Sequence, residues 1–317
     1  MLLFVFVHYV SSTNCIDESV EIGRSNYPMD SSIYIDNCFF RRNSVYSNTG
    51  GILYIYSSPI SLTISNSMFY YCKTSSFHGG AISMDSSLSE KCNIRYICAN
   101  LCESAKNGQF AFVRLSPGKT NHVEFSSLSK CSDSCVGDCP IWLYYGNQRF
   151  SESNSSMNHN TRDSGMAIDY ATTFESGYST FANNYASIEV CLYLYNTTGT
   201  IKTTNIVHNN SPTNLGVVYI ANNAIYSLED CIILGNSNTL FHVSSGSITI
   251  QRSFIQHSSI ISSGNVIITQ NYTMAIPKTH VLKQFGTFYC NADYIVSFTT
   301  NRKASPLIVA VFHLIYN

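Results

Sequence analysis

The sequence predicts an all-β chain folded as a right-handed parallel β-helix, a single solenoid of about eight to nine coils with capped ends. A first landmark, an apolar residue followed three positions later by Asn or Cys, recurs at intervals of 24 to 31 residues. A second landmark opens a strand in which large apolar residues alternate with polar ones, and no stretch shows helical periodicity. So short a unit cannot bury an apolar face alone, so its copies are expected to stack.

The first landmark ends at Asn43, Cys72, Asn100, Cys131, Asn160, Asn184, Asn210 and Asn236. Six of these eight positions are Asn, and a stacked column of Asn amides can pair with one another and with the backbone of a bend. We therefore predict an internal Asn ladder through these six residues. Asn184 and Asn210 would be neighbours in it.

The second landmark comprises Gly51-Ile52, Gly80-Ala81, Gln109-Phe110, Pro140-Ile141, Met166-Ala167, Val190-Cys191, Gly216-Val217 and Thr239-Leu240. The glycines of the early copies fit a corner that needs a positive φ or a close backbone approach. Residues two and four positions beyond each landmark are expected to face the core. In the fourth copy these residues are Trp142 and Tyr144.

Several copies resemble a known family. Phe40 to Asn43 reads F-R-R-N, Phe181 to Asn184 reads F-A-N-N, and Gly79 to Ile82 reads G-G-A-I. These motifs are similar to the paired repeats of the chlamydial polymorphic outer-membrane proteins and of predicted β-helix surface proteins of trichomonads. The resemblance covers residues 31–270. It implies a parallel β-helix and a cell-surface location, but no molecular activity.

The chain is divided around this repeat region. Residues 1–13 begin with an apolar run, Met1 to Val7, and end in small residues, and are interpreted as a signal peptide, with a buried first strand as the alternative. Residues 14–30 are expected to cap the first coil. Residues 271–317 lose the period and are expected to form a cap or closing strand, or the start of a membrane anchor. Their apolar run is too short for a transmembrane helix.

Twelve cysteines and four N-glycosylation sequons indicate a secreted or cell-surface protein. We expect at least one disulfide between the group Cys92, Cys98 and Cys102 and the group Cys131, Cys135 and Cys139, which lie about one coil apart. A metal site is less favoured because the spacing is not Cys-x2-Cys. The sequons place candidate glycans at Asn154, Asn196, Asn209 and Asn271.

Composition and motifs exclude several functions. A net charge of -1 with 12% charged residues offers no basic surface for nucleic acid. No cofactor motif is present. Of the acidic pairs in the predicted strands, Asp85 and Asp169 are about three coils apart, and Glu124 and Glu152 face opposite sides. The sequence therefore predicts a non-catalytic protein.

An aromatic column is predicted on the outward side of the second strand. It contains Tyr54, Ser83, Phe112, Leu143, Asp169, Tyr193 and Tyr219. An exposed strip of this kind commonly marks an interface. Tyr54, Phe112, Tyr193 and Tyr219 are the candidate ligand-binding residues. The predicted function is adhesion to, or recognition of, surface glycans or host proteins, with self-association as a further use of the face. The alternative is a carbohydrate-active enzyme on the same fold.

Overall fold

The structure is a computed structural model. It describes residues 7–11, 20–21, 31–45, 50–56, 60–86, 89–132, 136–212, 215–237, 239–256, 259–269, 280 and 290. Neighbouring strands in this part of the chain pair in parallel and stack as a right-handed β-helix without helical segments, which confirms the predicted fold class. No described element is a helix with the length and apolar character that crossing a bilayer requires.

The largest sheet, sheet A, forms two faces of each coil. These faces join where the long strands Ile60–Tyr70 and Lys91–Asn100 run across both. Its strands are Val7–Ser11, Ser31–Asp36, Phe39–Arg41, Ile60–Tyr70, Lys91–Asn100, Thr120–Glu124, Ser127–Ser129, Asn147–Ser151, Asn154–Ser156, Thr173–Gly177, Thr180–Ala182, Thr198–Lys202, Asn205–Val207, Ala224–Glu229, Ile232–Leu234, Gly246–Gln251, Phe254–Ile255 and Asn265–Thr269.

Sheet B forms the remaining long face, with one short strand from each coil. Its strands are Val20–Glu21, Leu53–Tyr56, Ile82–Asp85, Ala111–Arg114, Ile141–Tyr144, Met166–Asp169, Leu192–Tyr195, Val218–Ala221, Phe241–Val243 and Ile260–Ser262. Two small sheets lie between sheets A and B and contain Ser44–Val45, Lys73–Thr74 and Glu103–Ser104, and His159–Asn160 and Tyr185–Ala186.

Parallel pairing begins before the repeat region. Val7–Ser11 pairs with Ser31–Asp36, and Val20–Glu21 pairs with Leu53–Tyr56. Strands therefore occur within the segments interpreted as signal peptide and cap, and those two interpretations remain predictions.

The core is a column of apolar side chains that stack from coil to coil. Phe40 and Phe69 are stacked with ring centroids 4.9 Å apart, and Phe150 and Phe181 are stacked at 5.5 Å. All four rings are buried. Burying each such side chain contributes about 1.5–3 kcal/mol, so the core supplies the main driving force for stacking.

A first bend separates the two faces of sheet A. Its leading residue has a positive φ, as in Phe125 (49°), Glu152 (48°) and Tyr178 (53°). The residue that follows is usually Ser, Thr or Cys. Ser153 illustrates its role, because its hydroxyl donates to the carbonyl of Ser151 at 2.7 Å and accepts the amide N–H of Ser126 at 3.0 Å. This serine ladder pairs backbone groups that the bend would otherwise bury unsatisfied. The sequence analysis did not predict it.

A second bend carries the Asn ladder, in a register that differs from the prediction. The amide nitrogen of Asn184 donates to Oδ1 of Asn209 at 3.0 Å and to the carbonyl of Ser155 at 2.9 Å. The backbone N–H of Asn184 also donates to Oδ1 of Asn209, at 3.1 Å. Asn158 donates to Asn184, and Asn209 donates to Asn236, in the same way.

The strand register extends this column to Asn43, Cys72, Cys102, Cys131, Asn158, Asn184, Asn209 and Asn236. Three predicted members are therefore wrong. Asn100 lies two residues before the column and donates to Oγ of Ser129 at 3.0 Å. Asn160 lies two residues after the column and is buried, and Asn210 is exposed one residue after it.

This register also overturns two predicted glycosylation sites. Asn209 is buried in the ladder, and the amide nitrogen of buried Asn154 donates to Oγ of Ser127 at 3.2 Å. A glycan on either amide nitrogen would have to replace these internal bonds. Asn196 is half-buried at a bend where its φ is 45°. Asn271 lies outside the described residues.

The cysteines pair differently from the prediction. Cys98 forms a disulfide with Cys290, while Cys92, Cys102, Cys131 and Cys139 are free and buried. Cys135 lies outside the described residues. Because Cys98 is bonded to Cys290 while Cys92 and Cys102 are free, no member of the first group bonds to the second, and the predicted bridge is wrong.

The free cysteines of the bends act as weak hydrogen-bond donors. The thiol of Cys131 donates to the carbonyl of Ser129 at 3.7 Å, and that of Cys231 donates to the carbonyl of Glu229 at 3.3 Å. Burial raises the pKa of Cys231 to about 12, so its thiol keeps the proton that it donates. These cysteines therefore take the hydrogen-bonding positions that Ser and Asn occupy in neighbouring coils.

Two described residues of the tail lie against the outward side of sheet A. Cys290 is bonded to Cys98. The backbone N–H of His280 donates to Oδ1 of Asn205 at 3.0 Å, and Nδ2 of Asn205 donates back to the carbonyl of His280 at 3.0 Å. Residues 280 and 290 therefore lie beside coils that precede the last one.

Glycine shapes the early corners ahead of sheet B. Gly50 and Gly79 both have a φ of 70°, in the left-handed region. A Cβ on the next glycine, Gly80, would lie 2.1 Å from the carbonyl oxygen of Gln109, a separation that real Cβ atoms do not reach. These observations give the physical reason for the two glycines expected at this corner.

The first testable prediction compares two glycines. We expect Gly80→Ala to lower the free energy of unfolding by about 1–3 kcal/mol, because neighbouring backbones must move apart. Gly177→Ala is the matched control, since its Cβ would meet nothing within 4 Å. Denaturant unfolding measures both variants. Equal stability of the two would contradict the close approach of the corners.

The second testable prediction concerns the ladder register. We expect Asn184→Leu to cost about 1–3 kcal/mol, because it leaves the amides of neighbouring coils without partners. Asn210→Leu should change stability by less than about 0.5 kcal/mol, since Asn210 is exposed. Thermal melting distinguishes the two registers. If Asn210→Leu lost more stability than Asn184→Leu, the result would contradict the observed register and support the register predicted from sequence.

Candidate functional site

The outward face of sheet B carries the candidate site. Its strand register places Tyr54, Ser83, Phe112, Trp142, Ala167, Tyr193, Tyr219 and His242 in one column, which we call the aromatic column. All four candidate ligand-binding residues, Tyr54, Phe112, Tyr193 and Tyr219, lie in it. Tyr54, Tyr193 and Tyr219 are half-buried, whereas Phe112 is almost covered.

Two members predicted for this column lie elsewhere. Leu143 is fully buried in the core, and Trp142 takes the outward position expected for it. Asp169 lies two residues after Ala167, in a second outward column beside the first. The prediction that Trp142 and Tyr144 face the core is therefore wrong. In this strand the inward positions are shifted by one residue from those predicted, so that Leu143 faces the core.

The rings of the face contact one another across several coils. Tyr193 stacks on Tyr219 with centroids 5.7 Å apart and on Tyr195 at 5.6 Å, and Tyr219 meets the ring of His242 at 5.1 Å. Such contacts hold flat side chains in fixed orientations before any ligand arrives. At the other end of the column His78 stacks on Phe112 at 4.7 Å, which covers part of that ring.

Ala167 interrupts the line of rings at its middle. It pairs with Trp142 on one side and with Tyr193 on the other, so those two rings are separated by two strand spacings, about 9.6 Å. A cleft of about 250 Å3 lies here and is lined by Asp138, Trp142, Arg162, Asp163, Glu189, Tyr193, Leu215 and Tyr219.

The polar residues of the cleft come from the corners that precede three successive strands of sheet B. Asp138 precedes Ile141–Tyr144, Arg162 and Asp163 precede Met166–Asp169, and Glu189 precedes Leu192–Tyr195. The strand alternation used to compare acidic pairs in the sequence does not cover these corner residues, so it did not predict them. The available signal was an acidic residue one to three positions before the second landmark in three consecutive copies.

Asp163 is the most enclosed of these carboxyl groups. Only 3% of its surface is exposed, and its Oδ1 has no hydrogen-bond partner among the described residues. Burial, followed by the nearby charges of Glu189 and Asp138, raises the pKa of Asp163 well above its usual value, although Arg162 opposes the shift. Burial and the neighbouring carboxyl groups thus disfavour the ionised form of Asp163.

The negative charges of the other carboxyl groups in the cleft are partly balanced by Arg162. Nε of Arg162 pairs with Oε1 of Glu189 at 3.1 Å. Burial raises the pKa of Glu189 and of Asp138, and in both residues the charge of Arg162 opposes the shift. Nε1 of Trp142 lacks a hydrogen-bond partner within the described part of the chain. The cleft therefore combines aromatic walls, one unpaired donor and several acceptors.

A second set of charged groups lies two positions along the same strands. Arg114 is 5.3 Å from the ring of Tyr144 and pairs with Asp85 at 3.8 Å. Burial raises the pKa of Asp169 to about 7, against a backbone hydrogen bond from Tyr170 that lowers it. Within the described residues no three His, Cys, Asp or Glu side chains are grouped to hold a metal ion.

Comparisons with known proteins add nothing to this geometry, because the chain matches no family model, no curated protein and no solved structure.

Proposed function

We propose that the chain is a secreted or cell-surface recognition protein that binds glycans on the outward face of sheet B, with the cleft between Trp142 and Tyr193 as the principal contact. The disulfide between Cys98 and Cys290 supports an oxidising, extracellular setting. The resemblance of the repeats to surface proteins points to the same location.

One observation carries the proposal: the cleft joins flat aromatic walls to polar groups without internal partners. A sugar ring has apolar C–H faces and a rim of hydroxyl groups. Trp142 and Tyr193 can pack against the faces, while the carboxyl oxygens of the corner accept bonds from the hydroxyls. Sites that bind small ligands commonly have this mixture of apolar lining and a few placed polar groups.

The third testable prediction concerns this cleft. A glycan array probed with the full chain should identify a ligand, which Tyr193→Ala should bind about tenfold more weakly, a loss of about 1.4 kcal/mol. Tyr34→Ala is the control, because Tyr34 is 38% exposed and lies on sheet A. Calorimetry measures both variants. Binding only to host proteins or to a second copy of the chain, with no glycan bound, would reject the proposal.

A second candidate function is glycoside hydrolysis in the same cleft. It is favoured by three carboxyl groups from adjacent coils, since this chemistry needs a protonated acid and an ionised partner. Asp163 would give its proton to the departing glycosidic oxygen. Glu189, held beside Arg162, would remove a proton from the attacking water.

The fourth testable prediction separates binding from hydrolysis. If the cleft is catalytic, the full chain releases reducing ends from the bound glycan, and Asp163→Asn slows that release at least about a hundredfold when the glycan is saturating. Asp85→Asn, on the same face but outside the cleft, should not alter the rate. Binding without any release of reducing ends would leave recognition as the sole function.

A further inference from the structure

The charges of the cleft are unbalanced. It contains the carboxyl groups of Asp138, Asp163 and Glu189 but one cationic side chain, Arg162. That guanidinium pairs with Glu189 at 3.1 Å. Among the described residues neither Asp138 nor Asp163 forms an ion pair. The site therefore has more acidic groups than its own chain neutralises.

Among the excess acidic groups, Asp163 has a carboxyl oxygen without a hydrogen-bond partner in the described part of the chain. Asp163 lines the cleft and is almost completely buried, and its Oδ1 accepts no hydrogen bond from the described residues. Buried acceptors are rarely left in this state, so an unpaired one needs an explanation. A bound donor that enters the cleft would complete it, and a positively charged donor would also relieve the repulsion from Glu189 and Asp138.

The aromatic walls favour the same kind of ligand. The faces of indole and phenol rings attract cations through their quadrupoles, and Trp is the strongest of these side chains. Trp142, Tyr193 and Tyr219 all line the cleft. Carboxyl groups combined with several aromatic rings form the setting in which organic ammonium groups are recognised, whereas a uronic acid would meet like charge.

We propose that this cleft holds a protonated primary amine, so that the glycan it recognises contains amino sugars that are not acetylated. The inference rests on the glycan recognition proposed above and specifies its ligand. The ammonium group would lie against Oδ1 of Asp163, with the sugar ring between Trp142 and Tyr193. An N-acetylated sugar of the same stereochemistry lacks the charge and adds an acetyl group to a small cleft.

The fifth testable prediction compares two probes that differ only in acetylation. Isothermal calorimetry with the full chain should show glucosamine oligomers binding at least about tenfold tighter than N-acetylglucosamine oligomers of equal length, at a pH where the amine is protonated. Asp163→Asn should reduce this preference to less than about threefold, because a neutral amide replaces the carboxyl group that would pair with the ammonium. Asp85→Asn, whose carboxylate lies outside the cleft, should retain the full preference.

The outcomes separate this inference from the proposed function. Equal binding of the two oligomers, or tighter binding of the acetylated one, overturns the amine site and leaves glycan recognition standing. Binding of neither oligomer also overturns it, and the glycan array then decides whether recognition itself survives. Equal loss of preference in both Asp variants would show a general charge effect and reject the site. If Asp163→Asn melts well below the parent, Asp138→Asn replaces it and should also reduce the preference.

Discussion

The fold depends on side chains at the bends that form hydrogen bonds with the buried backbone groups there. At both bends of sheet A a residue with positive φ turns the chain, and the side chain of the next residue points inward. That side chain forms a hydrogen bond either with the carbonyl two residues earlier or with a polar group of a neighbouring coil. Ser153 does this at the first bend and Asn184 at the second. Buried peptide groups without partners would each cost about 1–3 kcal/mol, so stacked coils require these side chains in nearly every copy. Cysteines such as Cys131 serve as weaker substitutes.

The sequence was sufficient to predict the fold because its period and its alternation both survive in degenerate copies. The register of the bend was harder to predict. The true landmark joins an inward residue of sheet A to the ladder residue three positions later. In two copies that inward residue is small or polar, Ala99 in one and Ser155 in the other. The larger apolar residues nearby, Ile97 and Met157, were therefore taken as the landmark. Where Asn209 and Asn210 are adjacent, both satisfy the pattern, and only the burial of Asn209 distinguishes them.

Side chains whose positions depend on more than one coil were predicted least well. Tyr193 and Tyr219 could be placed from one strand pattern each, and the structure brings them into contact. The partner of Cys98 could not be predicted, because Cys290 lies in a segment without the repeat period. The acidic corner was missed because strand alternation carries no information about residues outside the strands, where side-chain direction follows the local turn.

The corner ahead of sheet B carries different residues in the early and the later coils. At Gly51 and Gly80 the backbones of adjacent coils approach so closely that a Cβ on either glycine would clash with the next carbonyl. Later coils carry Asp138, Asp163 and Glu189 near the same corner, and all three residues line the cleft. The ladders and the core lie on other parts of the coil. The acidic residues of the later coils therefore lie apart from the residues that maintain the fold, whereas the glycines of the early coils at this corner are needed for close stacking.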